Sequence, residues 1–514
     1  MSRSRSRARS GMPLNEKQLQ RKKLIKSRKI GYVLSSIQLI VSIIFSALLV
    51  YINMLPPLLL CGILLLLIIL ITFSFSTQMT KRLRMVGKIT AVIISILLAF
   101  GTYYLATASG ALAKMTGNKT KKDEVSVIVL KNDPAKTLSD VTGYTFGISK
   151  TVDRSNTDKA IENIKKLTGT TISYKECKDY HAMVDALMKG KVKAIIFNEA
   201  NRSTIEEDFA DFSDDTKVIT TFTFTTKLTN SSNVKVTKEP FIVYLSGNDQ
   251  TGDVAATGRT DVNICAVVNP DKKTILLVST PRDAYVELKD PSGSIPAGSM
   301  DKLTHSGNFG IDVSMATLNN LYGIKIDHYV MLNFTGFIKI VDALGGVTID
   351  SDASFTAIDG DVYKKGTQKM NGKRALNYAR ERKAFSDGDL ARNRHQTQVL
   401  SAIINKMMSP AILSNYSQLM DGVSGAFRTS FESKDISSLV KMQLNDNASW
   451  KILSYNVGGT STSKYTYSIS SRMVSSVILN ETDVANAKKL IKGVQSGTDY
   501  TQKDIDALKN EKTK

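Results

Sequence analysis

The sequence predicts an α/β protein with three transmembrane helices at its N-terminus, then a small α/β domain and a larger second α/β domain. Two observations support this fold class. Residues 30–108 contain no acidic residue and include three apolar stretches, at about 30–53, 57–75 and 88–108, each long enough to cross a bilayer as a helix. Beyond them, apolar segments of strand length alternate with segments of helical periodicity. The chain of 514 residues is also too long for one ordinary domain.

Basic residues predict how the chain crosses the membrane. The first 30 positions hold eleven Lys or Arg against Glu16 alone, and the loop between the second and third stretches holds four more. Loops rich in Lys and Arg stay in the cytoplasm. We expect a multi-pass protein of the cell membrane, with a basic cytoplasmic tail at 1–29, transmembrane helices within 30–108 and an extracytoplasmic part at 109–514. A cleaved signal peptide is the competing interpretation, but three successive stretches argue against it.

The formal net charge of +21 does not predict nucleic-acid binding. The expected cytoplasmic segments contribute +14, from 15 basic residues and one acidic residue, so +7 remains over 406 external residues. We therefore interpret the basic tail as a solvated segment beside the lipid bilayer and expect no nucleic-acid partner. Cys61, Cys177 and Cys265 imply no disulfide framework.

The external part divides by composition and periodicity. We predict a linker at 109–122, an accessory domain at 123–237, a second domain at 238–495 and a Lys-rich C-terminal tail at 496–514. In the accessory domain the patterns predict strands at 125–130, 144–148, 171–174 and 194–197 and helices at 157–167 and 180–188. In the second domain they predict strands at 241–245, 262–268, 274–279, 328–334 and 347–349 and helices at 312–323, 335–344 and 390–408.

Common catalytic signatures are missing from the sequence. There is no Gly-x-Ser-x-Gly motif, and the four histidines, His181, His305, His328 and His395, lack metal-ligand spacing. The segment 366–374 has five residues between its glycines rather than the four of a phosphate loop. We predict a turn there, entering a helix capped by Asn371.

Arginine is concentrated in one part of the chain. The external residues include 42 Lys and 11 Arg, and seven of these Arg lie between Arg259 and Arg394. A guanidinium group binds two phosphate oxygens at once, whereas an ammonium group is a mobile point charge. The distribution therefore favours a phosphate-binding site, with chance clustering or surface ion pairs as the alternative.

The motifs around these arginines follow a recognisable order. They are Gly247-Asn248-Asp249, Arg259-Thr260-Asp261, Ser279-Thr280-Pro281-Arg282-Asp283, Tyr378-Ala379-Arg380-Glu381-Arg382 and Gly388-Asp389-Leu390-Ala391-Arg392 with Gln396. Over about 240–495 this series resembles the LytR-CpsA-Psr family, whose members attach glycopolymers to the cell wall. Three spans followed by an accessory domain resemble the capsule-linked CpsA subgroup. The resemblance implies a central mixed sheet flanked by helices.

The resemblance also implies an activity and its residues. The protein would be a Mg²⁺-dependent phosphotransferase that moves a glycan, most simply capsular polysaccharide, from polyprenyl pyrophosphate to peptidoglycan. The pyrophosphate would be bound by Arg259, Arg282, Arg380, Arg382, Arg392 and Gln396. Asp249 and Asp261 would hold Mg²⁺. The catalytic residues would be Arg282, Arg380, Arg382 and Asp389, with Asp389 as candidate base and also as the expected helix cap. Other membrane proteins of capsule assembly would be further partners.

Three further expectations follow from the resemblance. An apolar tunnel for the lipid would be lined by 315–322 and 330–334, which the sequence alone identifies only as core. His395 stands where family members often have arginine, and Ala284 where they often have a hydroxyl residue. If Arg380 and Arg382 face one pyrophosphate, the helix beginning near Lys373 should end by about Ala379, with extended chain after it.

A different function class stays open. A non-catalytic membrane receptor that binds the same lipid-linked glycan and regulates its synthesis would need the same arginines. Consumption of the lipid donor by the purified protein distinguishes an enzyme from this receptor.

Overall fold

The computed structural model describes residues 16–116, 120–228, 232–248, 257–357, 359–386, 388–409 and 427–510. The chain forms two compact units, which are Met1–Ser109 with Val440–Asn445 and Gly110–Leu439 with Asp446–Lys514.

The first unit consists of long apolar helices. They are α1 (Glu16–Ile52), α2 (Pro57–Thr77) and α3 (Arg84–Thr116). Pro57 is the first residue of α2, a position where proline loses no helical hydrogen bond. Within the described residues, each of these three helices is long and apolar enough to cross a membrane. The prediction of three N-terminal hydrophobic helices is therefore confirmed.

The small domain is built on a mixed sheet. Its elements are β1 (Thr120–Leu130), β2 (Thr145–Ser149), α4 (Arg154–Thr168), β3 (Ser173–Cys177), α5 (Tyr180–Met188), β4 (Ala194–Asn198), α6 (Arg202–Glu206), α7 (Phe212–Asp215) and β5 (Thr216–Lys227). The strand order is β3-β2-β4-β1-β5. Helix α5 has its predicted bounds because the Asp179 side chain accepts a hydrogen bond from the Ala182 amide at 2.8 Å, as an N-cap does.

One sequence expectation about this region is wrong. The expected linker at 109–122 is largely regular structure, because α3 continues to Thr116 and β1 begins at Thr120. Strand β5 pairs along the whole of β1. The Thr-Phe alternation of β5 suits an exposed edge strand.

The large domain follows, with elements β6 (Phe241–Asn248), β7 (Thr260–Asn269), β8 (Thr274–Ser279), β9 (Tyr285–Glu287), β10 (Met300–Lys302), α8 (Leu303–Phe309), α9 (Ile311–Tyr322), β11 (His328–Asn333), α10 (Phe334–Ala343), β12 (Val347–Ser351), β13 (Phe355–Thr356), β14 (Val362–Tyr363), β15 (Gly366–Met370), α11 (Gly372–Arg380), α12 (Asp389–Met408), β16 (Phe427–Thr429), α13 (Ser433–Asp446), β17 (Lys451–Asn456), β18 (Gly459–Lys464), β19 (Val474–Leu479), α14 (Glu481–Gln495) and α15 (Gln502–Asn510).

The central sheet of this domain has the order β16-β11-β6-β7-β8-β17. Strand β6 runs parallel to β11, and β8 runs parallel to β17, whereas the other neighbours are antiparallel. The predicted mixed sheet flanked by helices is confirmed. Asn248 pairs with both Asn333 and Thr260, so the ends of β6 and β11 and the start of β7 meet at one edge. The chain segments that enter and leave this edge carry the predicted motifs.

Local predictions in this domain need three corrections. The expected tail at 496–514 contains α15, and its Ile505 is fully buried in the domain core. Residues 366–370 form strand β15 rather than a turn, although Asn371 caps α11 as predicted by accepting the Arg374 amide at 2.9 Å. Helix α9 begins at Ile311, one residue before the predicted 312, and Gly310 is its N-cap.

Candidate functional site

A cavity of about 330 Å³ lies between one face of the central sheet and helices α10, α11 and α12. Most of its wall is apolar, formed by Leu245, Val262, Ile264, Val330, Leu332, Phe334, Phe337, Leu376, Ala379, Val399, Leu400 and Ile403. Polar and charged side chains also line it, among them Glu207, Asn248, Arg259, Asp261, Arg282, Asn333, Arg380, Arg382, Arg392 and Gln396. The cavity therefore combines a long apolar wall with a cluster of arginines, which we call the arginine cluster.

Strand and helix periodicity place the apolar wall. In β7 and β11, residues two apart face the same side, which puts Val262 with Ile264 and Val330 with Leu332 on the cavity. In α12, Gln396, Val399, Leu400 and Ile403 have the spacing of one helical face.

Arg282 lies at the centre of the arginine cluster. Its side chain is only 7% exposed, and its Nη1 donates to Asp261 Oδ1 at 2.6 Å. Its Nη2 lies 3.5 Å from Glu207 Oε1 and its Nε lies 3.6 Å from Asp283 Oδ1. Burial acts to lower the pKa of Arg282, but the surrounding carboxylates raise it above its ordinary value. The guanidinium group is thus held charged and fixed at the cavity.

Asp283 is a largely buried counter-ion that lies beside Arg282. Lys302 Nζ lies 2.6 Å from Asp283 Oδ1, and both side chains are largely buried. Burial acts to raise the pKa of Asp283, but Lys302 and Arg282 lower it to about 2. Asp283 therefore stays ionised at any physiological pH and serves as a permanent counter-ion.

Arg392 and Asp389 form a second buried ion pair at the start of α12. Arg392 Nη2 donates to Asp389 Oδ1 one helical turn earlier. Burial raises the pKa of Asp389, even though Arg392 acts to lower it, and burial also lowers the pKa of Arg392. Asp389 Oδ2 is buried and accepts no hydrogen bond from the described residues. The prediction that Asp389 caps α12 is wrong, because the N-cap is Gly388 and Asp389 is the first helical residue.

The end of α11 determines where the side chains of Arg380 and Arg382 lie. The helix stops at Arg380, and Glu381 is extended, with φ −66° and ψ 131°. The buried Glu381 carboxylate accepts the amides of Lys383 and Ala384 at 2.6 and 3.0 Å, which stabilises the turn after the helix. Both arginines line the cavity, and the helix ends one residue later than predicted.

The two segments expected to line an apolar tunnel lie on different faces of the sheet. Val330, Leu332 and Phe334 line the cavity, but residues 315–322 are not among its described lining residues. Met315, Leu318 and Tyr322 pack instead against the opposite face of the sheet. Both segments have the same apolar character, so only the sheet could assign them to different sides.

The structure brings most of the predicted site residues together. Those that line the cavity are Arg259, Asp261, Arg282, Arg380, Arg382, Arg392 and Gln396. Asp389 is not among the described lining residues and reaches the cavity through Arg392. Asp249, the second expected Mg²⁺ ligand, lies outside the described residues. In the described part of the chain no group of three His, Cys, Asp or Glu side chains is arranged to hold a metal ion.

Sequence reasoning missed Glu207. This residue follows α6 in the small domain, yet its Oε1 contacts Arg259 Nη1 and lies 3.5 Å from Arg282 Nη2. Partial burial acts to raise the pKa of Glu207, but Arg259 and Lys302 hold it below its ordinary value. The acidic run Glu206-Glu207-Asp208 gives no sign that its middle residue reaches the arginines, because that contact depends on how the two domains pack.

Comparisons with known proteins were made for the whole chain. The model of the LytR_cpsA_psr family matches residues 201–483, more than half of the chain. A second family model, described as DNA polymerase processivity factor, matches residues 80–197, less than a quarter of the chain. That match spans α3 and most of the small domain.

Several curated proteins are similar over part of their length. One is the polyisoprenyl-teichoic acid--peptidoglycan teichoic acid transferase TagU of Enterococcus faecalis, which is 36% identical over 205 residues, 39% of this chain and 65% of that protein. The protein of the same name from Bacillus anthracis is 36% identical over 204 residues, 39% of this chain and 64% of that protein. The chain thus spans about 65% of the length of these relatives.

Solved structures were also compared. Bacillus subtilis TagV is 27% identical to this chain. The match has a TM-score of 0.42 and covers 51% of this chain and 99% of TagV. A structure described as TagT bound to LI-WTA is 28% identical to this chain. The match has a TM-score of 0.41 and covers 51% of this chain and 96% of the TagT chain.

Proposed function

The chain belongs to the LytR_cpsA_psr family, and from this premise we propose that it transfers a glycopolymer from a polyprenyl pyrophosphate carrier to peptidoglycan. The observation that supports the proposal is that one cavity is lined by both an arginine cluster and an apolar wall. A polyprenyl pyrophosphate has the same two-part character, because its pyrophosphate is anionic and its tail is a hydrocarbon. Guanidinium groups suit the first part, and an apolar pocket suits the second.

The proposed reaction is a phosphoryl transfer. A sugar hydroxyl of peptidoglycan attacks the phosphorus that carries the glycan, and a new P–O bond forms. The bond from that phosphorus to the bridging oxygen breaks, and polyprenyl phosphate leaves with this oxygen and its electron pair. The hydroxyl proton passes to a base.

The described residues supply the groups that this reaction needs. The arginines Arg259, Arg282 and Arg392, buried at the cavity, neutralise charge on the transferred and leaving phosphates. We assign the role of base to Asp389. Its raised pKa makes it a better proton acceptor than an ordinary aspartate, and it pairs with Arg392, which lines the cavity.

Mg²⁺ is part of the proposal. It would add positive charge at the phosphates, since it prefers carboxylate, water and phosphate oxygens. Asp261 fits this role in part: its contacts with Arg282 and Thr304 at 2.6 and 3.3 Å both involve Oδ1. Asp261 and Asp249 would share the ion with phosphate and water oxygens.

The polymer and the topology are finer points of the same proposal. The names of the relatives indicate a teichoic acid, whereas the resemblance of three spans and an accessory domain to the capsule-linked CpsA subgroup favours capsular polysaccharide. Either polymer carries the same linkage, so we propose a phosphate-linked glycopolymer. We also propose that the N-terminus lies in the cytoplasm and residues 109–514 outside it, since loops rich in Lys and Arg stay in the cytoplasm.

The test uses the full-length protein in detergent with a lipid-linked glycan, a peptidoglycan acceptor and Mg²⁺. We expect release of polyprenyl phosphate and a new glycan phosphodiester on the acceptor, with both products lost on chelation. Asp261→Ala should remove the Mg²⁺-dependent turnover and leave the fold intact in circular dichroism. Binding of the donor without any turnover would contradict the enzyme and favour the receptor. Turnover that survives chelation would contradict the assignment of Asp249 and Asp261.

A further inference from the structure

Glu207 brings a carboxylate of the small domain into the arginine cluster of the large domain. Its Oε1 accepts from Arg259 Nη1 and lies 3.5 Å from Arg282 Nη2. One anionic oxygen shared between two guanidinium groups is also the arrangement that a phosphate oxygen adopts between arginines. Glu207 therefore stands where an oxygen of an anionic ligand would bind.

The neighbours of Glu207 fix the segment that carries it. The next residue, Asp208, pairs with Arg472 of the large domain. Nearby, the buried Asp179 carboxylate accepts the amides of Ser470 and Ser471 at 2.7 and 2.6 Å. These contacts tie the small domain to the 470–472 loop and hold the backbone near Glu207 at the cavity.

Exposure differs sharply within this ion-pair cluster. The Glu207 side chain is 44% exposed, whereas those of Arg259 and Arg282 are 10% and 7% exposed. Glu207 can move into water at small cost, because an exposed carboxylate is well solvated. The two buried guanidinium groups cannot move into water in the same way, and Arg282 is also held by its contacts with Asp261 and Asp283. The exchangeable member of the cluster is therefore the carboxylate.

We propose that Glu207 is a tethered competitor for the phosphate groups of the donor, a role that rests on the proposed function. It pairs with Arg259 and Arg282 when the cavity is empty, yields to phosphate oxygens when the donor binds, and returns as polyprenyl phosphate leaves. A tethered group competes at a high effective concentration. Glu207 thereby weakens the hold of the cluster on the product and speeds its release.

The test compares Glu207→Gln with the wild-type protein, both full-length and in detergent. The probes are farnesyl pyrophosphate, which has a short polyprenyl tail, and inorganic pyrophosphate, which has none. We expect Glu207→Gln to bind both about tenfold more tightly, the equivalent of about 1.4 kcal/mol. Most of the gain should appear as slower dissociation. A residue that only positions the arginines would give the opposite sign, since its loss would weaken binding.

The matched control is Glu206→Gln. It makes the same charge change at the adjacent residue, but the Glu206 carboxylate contacts Ser213 Oγ at 2.5 Å rather than an arginine. Affinities equal to wild type in this control, with the gain in Glu207→Gln, support the proposal. The same gain in affinity in both variants would be a general effect of charge, and this outcome would overturn the proposal.

Other outcomes separate this proposal from the one it rests on. Unchanged or weaker binding by Glu207→Gln, when wild type binds both probes, overturns the competitor role alone. If wild type binds neither probe at millimolar concentration, the donor site fails and the competitor role fails with it. Glu207→Asp, which shortens the side chain by one methylene and keeps its charge, should give an intermediate gain and guards against a folding defect in Glu207→Gln.

Discussion

The two faces of the central sheet come from the same strands, yet one is filled and the other opens into a cavity. On the packed face, Tyr244, Cys265 and Leu276 meet α9 and α14 in a core where these three side chains are fully buried. On the cavity face, Leu245 and Ile264 alternate with them and look across at α11 and α12. Successive side chains of a strand point to opposite faces, so neighbouring residues here lie in the core or at the cavity. The packed face contains the apolar core, and the cavity face carries the proposed ligand site.

Charge follows the same division. Arg259, Arg282 and Arg392 are buried at the cavity, whereas the packed-face core is a cluster of apolar side chains. Buried arginines are costly unless they are paired, and the carboxylates of Glu207, Asp261, Asp283 and Asp389 pair with them or lie beside them. This arrangement contributes little net stability, so its value lies in the anion that it can bind.

The largest expected effect belongs to the cavity face. Arg380→Lys and Arg382→Lys keep the charge but lose the two-pronged donor, so each should retain donor binding while transfer falls about 10²–10³-fold. The measurement is the transfer rate on one lipid-linked donor. Melting temperatures should stay at the wild-type value, because both side chains are exposed.

The matched control for this pair is Arg374→Lys on the same helix. The Arg374 guanidinium stacks 4.7 Å from the Tyr363 ring centroid and donates to the Val362 carbonyl at 2.9 Å. It is not among the described residues that line the cavity. Wild-type transfer in all three lysine variants would contradict the role of Arg380 and Arg382.

A second prediction exchanges one leucine on each face. Leu318→Ala removes a fully buried side chain from the packed face and should cost about 3 kcal/mol of unfolding free energy. Leu332→Ala trims a side chain that already lines open space and should cost about 1 kcal/mol or less, since it creates little new void. The measurement is denaturant unfolding of the two variants beside wild type.

Binding should reverse that order. Leu332→Ala should weaken farnesyl pyrophosphate binding about fivefold and leave inorganic pyrophosphate unchanged, because burial of each methylene contributes about 0.8 kcal/mol. Leu318→Ala should bind both probes as wild type does. Equal destabilisation by the two leucine variants would show that the cavity face is packed as tightly as the other.

The last expected effect is a pH dependence. A base acts only when unprotonated, and burial raises the pKa of Asp389 above its ordinary value of 3.8. The transfer rate should therefore fall as the pH drops through this raised pKa, approaching tenfold per pH unit below it. Asp283, with a pKa of about 2, stays ionised across the same pH range and should add no pH dependence of its own.

Asp389→Asn tests that assignment. The variant should be slow and should lack the acidic limb, as measured by transfer rates at a series of pH values. An acidic limb that persists in Asp389→Asn would assign the base to another group.

The sequence by itself determined the local features of this protein. The membrane helices follow from uninterrupted apolar composition, and the bounds of α5 follow from a capping aspartate before its first residue. Asn371 marks the start of α11 in the same way. The ordered arginine motifs, with Asp261 and Gln396, identified most of the described polar residues at the cavity. Each of these signals is read within a few residues of the chain.

Tertiary structure alone decided which apolar segment is core and which is cavity wall. Segments 315–322 and 330–334 are both rich in apolar residues, and periodicity tells which residues share a face but not whether a void remains beyond it. The contact of Glu207 with Arg259 spans 52 residues and joins two domains. The lysine-rich composition of 496–514 also hid the buried Ile505 of α15. These outcomes depend on which surfaces meet when the sheets and helices pack, and that information is shared among residues far apart in the chain.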